Sequence, residues 1–222
     1  MESGDPQVLA DSYDLSRDWV NEVEQYLSPD GVWDRKPDFP LGQLGDWLDP
    51  TAPPEDPTQA MTAKELVATA FYARSCIQIT RIAEILGYAD DAARYAALRD
   101  HVIAGFLDRF IRLDGTMTSD TQCAYALAIA FGLLDGEPVR KVKAGNCLAC
   151  LVRESGGKVS TGFAGTPFVL PALTQTGHDD EAYQLLTSTE CPSWLYQVTM
   201  GATTTWERWD SMRPDRSLNP GA

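Results

Sequence analysis

Helical segments of two kinds alternate along this chain, and the alternation restricts the folds that it can adopt. Amphipathic segments, in which apolar residues recur at helical spacing between many charges, occupy 6–27, 90–111, 137–154 and 179–188. Segments that are apolar nearly all round occupy 66–86, 121–134 and 166–173. A helix with one apolar face is half solvated, whereas a helix that is apolar on every side is buried on every side. Two concentric helical layers satisfy both conditions, so the sequence predicts an all-α fold, an (α/α) toroid built of hairpins.

A faint internal repeat supports the same architecture. Gly115, Gly157 and Gly201 lie 42 and 44 residues apart, about the length of a two-helix hairpin, and hydroxyl residues that can cap a helix follow each glycine. The inner helices should therefore begin at one end of the toroid, with the last of them starting shortly after Thr203. Residues 1–222 amount to about three and a half hairpins, so we predict a single partial domain, an incomplete toroid.

Two of the buried helices carry capping signals at their predicted starts. Thr62 and Glu65 have the spacing of a capping box, which would begin the first buried helix at residue 62. Asp120 precedes the second buried helix, and we expect it to cap that N-terminus rather than to act in catalysis.

The charge balance restricts the possible partners. Acidic residues outnumber basic ones by 32 to 18, which gives a net charge of −14. Nucleic acids and anionic membranes bind clustered Lys and Arg, so we expect neither as a partner. The same balance is compatible with a neutral ligand such as a sugar. No apolar run approaches the roughly 18 residues of a membrane span. The first residues do not have the pattern of a secretory signal, and we assign no localisation from the sequence.

The few His and Cys residues do not form a metal-binding pattern. Cys147 and Cys150 form a CxxC pair, but they fall on a predicted helix without a second pair, so we expect them to pack in the interior. His101 and His178 lie in ordinary helical sequence and are expected at the surface. We therefore predict no metal site and no Ser–His–Asp triad.

Two segments break the helical pattern and concentrate Trp with acidic residues. The first is 30–57, in which aromatic residues including Phe39 favour an ordered loop, and the second is 191–212. An indole offers a flat apolar face to a sugar ring, and hydrolysis of a glycosidic bond requires two carboxyl groups. Glu207, between Trp206 and Trp209 at a predicted helix start, is the candidate carboxylate. The competing interpretation, an ion pair with Arg208 or another basic residue at a helix end, fits the composition equally well.

Several blocks together resemble the α-L-rhamnosidases: LGQLGDWLDP, SDTQCAYALAIAFGLL, STGFAGTPFVLPALTQTGH and PSWLYQVTMGATTTWERWDSMRPDRSLNPG. The order and spacing of the blocks match over nearly the whole chain. This resemblance implies a six-hairpin (α/α) barrel that hydrolyses terminal α-L-rhamnosides with inversion, without metal or organic cofactor. The implied ligand is therefore a rhamnose-containing glycoside.

The resemblance also implies roles for individual residues. Glu207, in TTTWERW, matches the general base, and Trp47 matches an aromatic wall of the sugar site. Trp206 is a candidate for the same pocket, and Asp46 is a candidate polar contact. For Asp46, a loop-ordering role as an acceptor for backbone N–H groups fits equally well. For the remaining indoles we expect packing: Trp33, Trp194 and Trp209.

The sequence departs from the family pattern in ways that bear on activity. The block with the family's general-acid Glu, followed by GWTGD, has no counterpart in residues 1–30, and the Asn-His-Tyr block after SxNPG is not reached. Gln197 replaces a common Pro. We therefore expect little hydrolysis of ordinary rhamnosides. The alternatives are a non-catalytic carbohydrate-binding remnant and, less favoured, a toroid enzyme such as a polysaccharide lyase.

Overall fold

The computed structural model describes residues 5–35 and 42–221. Within those ranges the chain forms eight helices and no strand, with two isolated β-bridges, Ile111–Met117 and Met212–Leu218. The helices are α1 (Pro6–Glu24), α2 (Lys64–Leu86), α3 (Ala89–Phe110), α4 (Gln122–Ala130), α5 (Pro138–Glu154), α6 (Thr166–Gln175), α7 (Asp179–Thr187) and α8 (Trp194–Thr199). The predicted all-α class is confirmed.

The helices form two layers, as the alternation predicts. In α4, eight of the nine residues are buried, and α2 likewise buries residues around most of its surface. By contrast, α1, α3, α5 and α7 each bury one face. Burial on every side fails for α6, in which only Val169, Ala172 and Leu173 of the ten residues are buried. The three inner helices still pack side by side in the order α2, α4, α6, and each contacts an amphipathic neighbour. The inner layer is therefore an arc of three helices, backed by an outer layer.

The N-termini of the three inner helices meet at one end of the arc. The hydroxyl groups of Thr62 and Thr121, which precede α2 and α4, lie 2.7 Å apart. The side chain of Gln122, at the start of α4, accepts from the Ser160 N–H at 3.0 Å and donates to the Lys158 carbonyl at 3.1 Å. The loop that leads into α6 is thus fixed to the start of α4. The long loops of the chain gather at this end.

Both predicted capping signals are used differently. Thr62 does not cap α2, whose N-cap residue is Ala63, because its hydroxyl is bonded to Thr121 instead. The N-cap of α4 is Thr121, which accepts from the Ala124 N–H, while Asp120 accepts from the Tyr125 hydroxyl at 2.7 Å. In both cases a tertiary contact determines the role of the side chain.

The glycine repeat is present in the backbone, but its third copy does not begin a helix. Gly115, Gly157 and Gly201 all adopt positive φ, at 83°, 77° and 88°. The predicted helix after Thr203 is wrong, since no helix follows α8 within the described residues. Three consecutive β-branched residues, 203–205, disfavour a helix, and side-chain contacts hold the next residues as a loop.

The Cys pair is only partly internal. Cys147 is half-buried and Cys150 is exposed on α5, so the expectation of interior packing fails for Cys150. Trp33 does pack in the core, whereas Phe39 lies outside the described residues. Of the helices in the described ranges, none combines the length and the apolar character that crossing a membrane requires.

Candidate functional site

An open pocket of about 360 Å³ lies where the inner helices begin. Four segments meet there: the 46–49 loop, the 161–167 turn that starts α6, α8, and the 205–209 loop. The lining is mostly apolar and aromatic, and consists of Leu48, Gly162, Phe163, Thr166, Pro167, Trp194, Gln197, Thr205, Trp206, Glu207 and Trp209. Within the described part of the chain, Glu207 is the one lining residue with a carboxyl group.

Contacts from other segments hold the 205–209 loop on both sides of Glu207. The backbone N–H of Trp206 donates to Gln197 Oε1 at 3.1 Å. Arg208 is 4 % exposed, and its Nη2 donates to the Ala52 carbonyl at 2.9 Å. The Trp209 indole N–H donates to the Thr161 carbonyl at 2.8 Å. The neighbours of Glu207 are therefore fixed although its own side chain is free to act.

Glu207 is exposed and lies at the pocket, beside Trp206. The competing interpretation from the sequence, an ion pair with Arg208, does not hold, because the Arg208 guanidinium pairs with Asp210 at 3.3 Å and contacts Ala52. No ion pair between described residues involves Glu207. Its carboxylate is thus available to water or to a ligand in the pocket.

Asp46 is buried at 0 % exposure and orders the loops behind the pocket. Its two carboxylate oxygens accept from the backbone N–H groups of Gly162 at 2.8 Å and Gly165 at 2.9 Å. Burial raises the pKa of the Asp46 carboxyl, although these two donors act in the opposite direction. This is the loop-ordering geometry that the sequence allowed, and Asp46 does not line the pocket.

Trp47 contributes to the same junction through its backbone. Its carbonyl accepts from the Phe163 N–H at 2.9 Å, and its half-buried side chain is not part of the pocket lining. The structure therefore brings Trp206 and Glu207 together in one pocket. From the 46–49 loop, Leu48 lines this pocket and Trp47 does not.

The junction leaves no space for a side chain at residue 162. A Cβ on Gly162 would lie 2.2 Å from the Trp47 carbonyl oxygen and 2.3 Å from that of Asp46. We expect Gly162→Ala to lower the free energy of unfolding by at least about 1–3 kcal/mol, because rigid backbone would have to move. Urea denaturation would measure the loss. Gly136→Ala is the matched control, since nothing lies within 4 Å of its added Cβ; equal midpoints for the two variants would contradict the expectation.

Sequence reasoning missed part of the lining. Trp194 and Trp209 do pack together, with ring centroids 5.4 Å apart, but both also border the pocket. Phe163 is 55 % exposed at the pocket, and Gln197 is buried at its wall. For Phe163 the sequence signal was its place between Gly162 and Gly165, and for Gln197 it was the departure from the common Pro of the family.

Within residues 5–35 and 42–221, no group of three or more His, Cys, Asp or Glu side chains is arranged to hold a metal ion. The chemical groups that the pocket offers are one carboxylate, one carboxamide, two threonine hydroxyls and several aromatic faces. Such a set suits a neutral ligand with an apolar face and several hydroxyl groups.

Solved structures with the same architecture are α-L-rhamnosidases. The native enzyme from Aspergillus terreus superposes with a TM-score of 0.90 and 38% identity over 98% of this chain and 25% of that one. The Streptomyces avermitilis enzyme, solved in complex with L-rhamnose, gives a TM-score of 0.81 and 37% identity over 97% of this chain and 19% of that one. The arc described above is therefore part of a six-hairpin toroid.

Curated relatives agree with the structures. An α-L-rhamnosidase of Streptomyces avermitilis is 38% identical over 96% of this chain, and one of Formosa agariphila is 34% identical over 98%. The chain spans 19% and 23% of their respective lengths. A family model described as the bacterial α-L-rhamnosidase six-hairpin glycosidase domain matches residues 1–221. The chain therefore belongs to the six-hairpin glycosidase family of bacterial α-L-rhamnosidases.

Proposed function

We propose that the pocket binds a terminal α-L-rhamnosyl group and that Glu207 is the general base of its hydrolysis with inversion. The observation that carries the proposal is the Glu207 carboxylate, which is exposed, adjacent to Trp206 in an aromatic pocket, and without an ion-pair partner among the described residues. Relatives named α-L-rhamnosidases and a structure solved with L-rhamnose support the choice of sugar.

In the proposed reaction, Glu207 takes a proton from a water molecule while the water oxygen attacks the anomeric carbon. The bond from that carbon to the leaving oxygen breaks, and the leaving oxygen needs a proton from an acid. In inverting enzymes the acid and the base are about 6.5–9.5 Å apart, on opposite sides of the sugar. Glu207 is the one carboxyl group among the described lining residues, and in this proposal it acts as the base.

The neighbouring residues have supporting roles in this proposal. The Trp206 indole, held edge-on by Tyr196 at 6.3 Å between ring centroids, would stack on the apolar face of the sugar. Asp46 would act indirectly, by fixing the turn that carries Phe163 into the pocket. A direct contact of the Asp46 carboxylate or the Trp47 indole with the sugar stays a prediction.

The sugar-binding part of the proposal can be tested without turnover. We expect the chain to bind L-rhamnose and Trp206→Ala to weaken the Kd by about tenfold, equivalent to about 1.4 kcal/mol, because the stacking surface is lost. Titration calorimetry or ligand-observed NMR would measure the Kd.

Trp19→Ala is the control, because Trp19 is a half-exposed indole on α1 that does not border the pocket. Equal affinities in the two variants, or no binding of L-rhamnose by the unaltered chain, would contradict the proposed site.

A second function is favoured by the presence of one carboxyl group among the lining residues that the structure describes. A chain that binds rhamnose but holds no acid could serve as a non-catalytic carbohydrate-binding protein. The two functions differ in one observable: base catalysis requires that turnover of an activated rhamnoside depends on Glu207, whereas pure binding requires no turnover at all.

A further inference from the structure

Gln197 is a buried polar residue at the pocket wall, and the proposed base reaction does not use it. It lies in α8 with 7 % exposure, and its backbone carbonyl accepts from the Ala202 N–H at 3.0 Å. Its side chain accepts from the Trp206 N–H at 3.1 Å. A backbone N–H can only donate, so the contacting atom must be the amide oxygen. The orientation of the carboxamide is thereby fixed.

The hydrogen bond holds the backbone one residue before Glu207, at the peptide group between Thr205 and Trp206. Trp206 is the preceding residue, and no helix or strand supports residues 200–210. On the other side of Glu207, the Arg208 N–H is held by the Ser211 hydroxyl at 3.3 Å within the same loop. Gln197 therefore holds the backbone on the near side of this loop to α8, in addition to the ring contact of Tyr196 with Trp206, and the position of Glu207 depends on this tie.

The second terminal atom of the carboxamide, Nε2, has no acceptor among the described residues. This atom is also not fully enclosed by protein, because it is absent from the set of fully buried polar atoms without a partner. Gln197 borders the pocket together with Trp206 and Glu207, so its amide donor is at the wall of the space that a ligand would fill. Sugar hydroxyls accept hydrogen bonds from such donors, and a small number of polar groups of this kind orient ligands in apolar pockets.

We propose that Gln197 is a positioning residue for Glu207 through its Oε1, and a ligand-orienting donor to a sugar hydroxyl through its Nε2. The first part stands on the contact with Trp206, and the second part rests on the proposed function. One side chain would thus couple the placement of the base to recognition of the sugar.

Two substitutions separate the two parts. Gln197→Glu keeps an oxygen that can accept from Trp206 but removes the amide donor. Gln197→Met keeps the length and approximate volume of the side chain and removes both groups. Gln78→Met is the control, since Gln78 is exposed on α2 and remote from the Glu207 loop. Thermal unfolding of each variant would establish that it is folded.

Hydrogen exchange at the Trp206 amide, followed by NMR in the 222-residue chain, tests positioning. We expect exchange about fivefold faster in Gln197→Met, as for the loss of one hydrogen bond of typical net strength, and near the original rate in Gln197→Glu and Gln78→Met. An unchanged rate in Gln197→Met would overturn the positioning role, whatever the ligand proves to be.

L-rhamnose titration tests the donor. We expect both Gln197 variants to bind L-rhamnose at least about fivefold more weakly than the unaltered chain and than Gln78→Met. Original affinity in Gln197→Glu would overturn the donor role. If the unaltered chain does not bind L-rhamnose, the proposed function fails and the donor role fails with it, while the exchange rates still decide the positioning role.

Discussion

Glu207→Gln is expected to lower the kcat for an aryl α-L-rhamnoside by about 10²–10⁴-fold, with little change in the binding of L-rhamnose. Glutamine keeps the size of the side chain and its place beside Trp206, but its amide cannot take a proton from water. The loss should therefore fall on the chemical step. Release of nitrophenolate from a nitrophenyl rhamnoside would measure the kcat, and calorimetry the affinity.

The control for this substitution is Glu190→Gln, which removes the same charge from an exposed residue that pairs with Lys158 and does not border the pocket. Added azide should partly restore turnover in Glu207→Gln, because this anion attacks the anomeric carbon without needing a base. A kcat that falls less than about threefold, or a loss confined to KM, would rule out Glu207 as the base.

The layers of the fold could be predicted because a helix that is buried on most sides contains few charged residues, and this is visible in its composition. α4 is the clearest case: a segment with almost no charge between 121 and 134 has to be enclosed, and eight of its nine helical residues are buried. The predicted ends of α5 and α7 lie within one residue of the observed ones, and that of α6 within two. Such patterns arise locally, from helical spacing and from Gly and Pro.

Features that depend on tertiary contacts could not be predicted in this way. Thr62 has the spacing of a capping residue, yet its partner is Thr121, 59 positions away. The 203–209 segment resembles the two earlier helix starts, but Gln197, Ala52 and Thr161 hold it as a loop. Spacing along the chain carries no information about these partners.

The same distinction applies to the site residues. Glu207 was predicted from its type and its Trp neighbours, and the structure gives it an accessible position at the pocket. For Asp46, residue type alone allowed either a ligand contact or a loop-ordering role. The contacts with Gly162 and Gly165 correspond to the second role, which only the position of the α6 turn could reveal.

If Glu207 is the base, the described lining residues offer no second carboxyl group to act as the acid, and this has a measurable consequence. We expect the 222-residue chain to hydrolyse an alkyl α-L-rhamnoside at least about 10²-fold more slowly, relative to an aryl one, than a complete rhamnosidase does. An alkoxide leaves poorly unless an acid protonates it, whereas a nitrophenolate leaves without that help. Glu207 is the one carboxyl group among the described lining residues, and we expect the alkyl substrate to find no proton donor there.

The comparison needs both substrates and both proteins under one set of conditions, with the Streptomyces avermitilis relative as the complete enzyme. Dividing the aryl rate by the alkyl rate for each protein removes differences in concentration and folding, because those affect both substrates equally. A similar ratio in the two proteins would mean that this chain protonates leaving groups as well as a full toroid does. A second acid would then have to act on the pocket, and the assignment of this chain to the base side alone would be wrong.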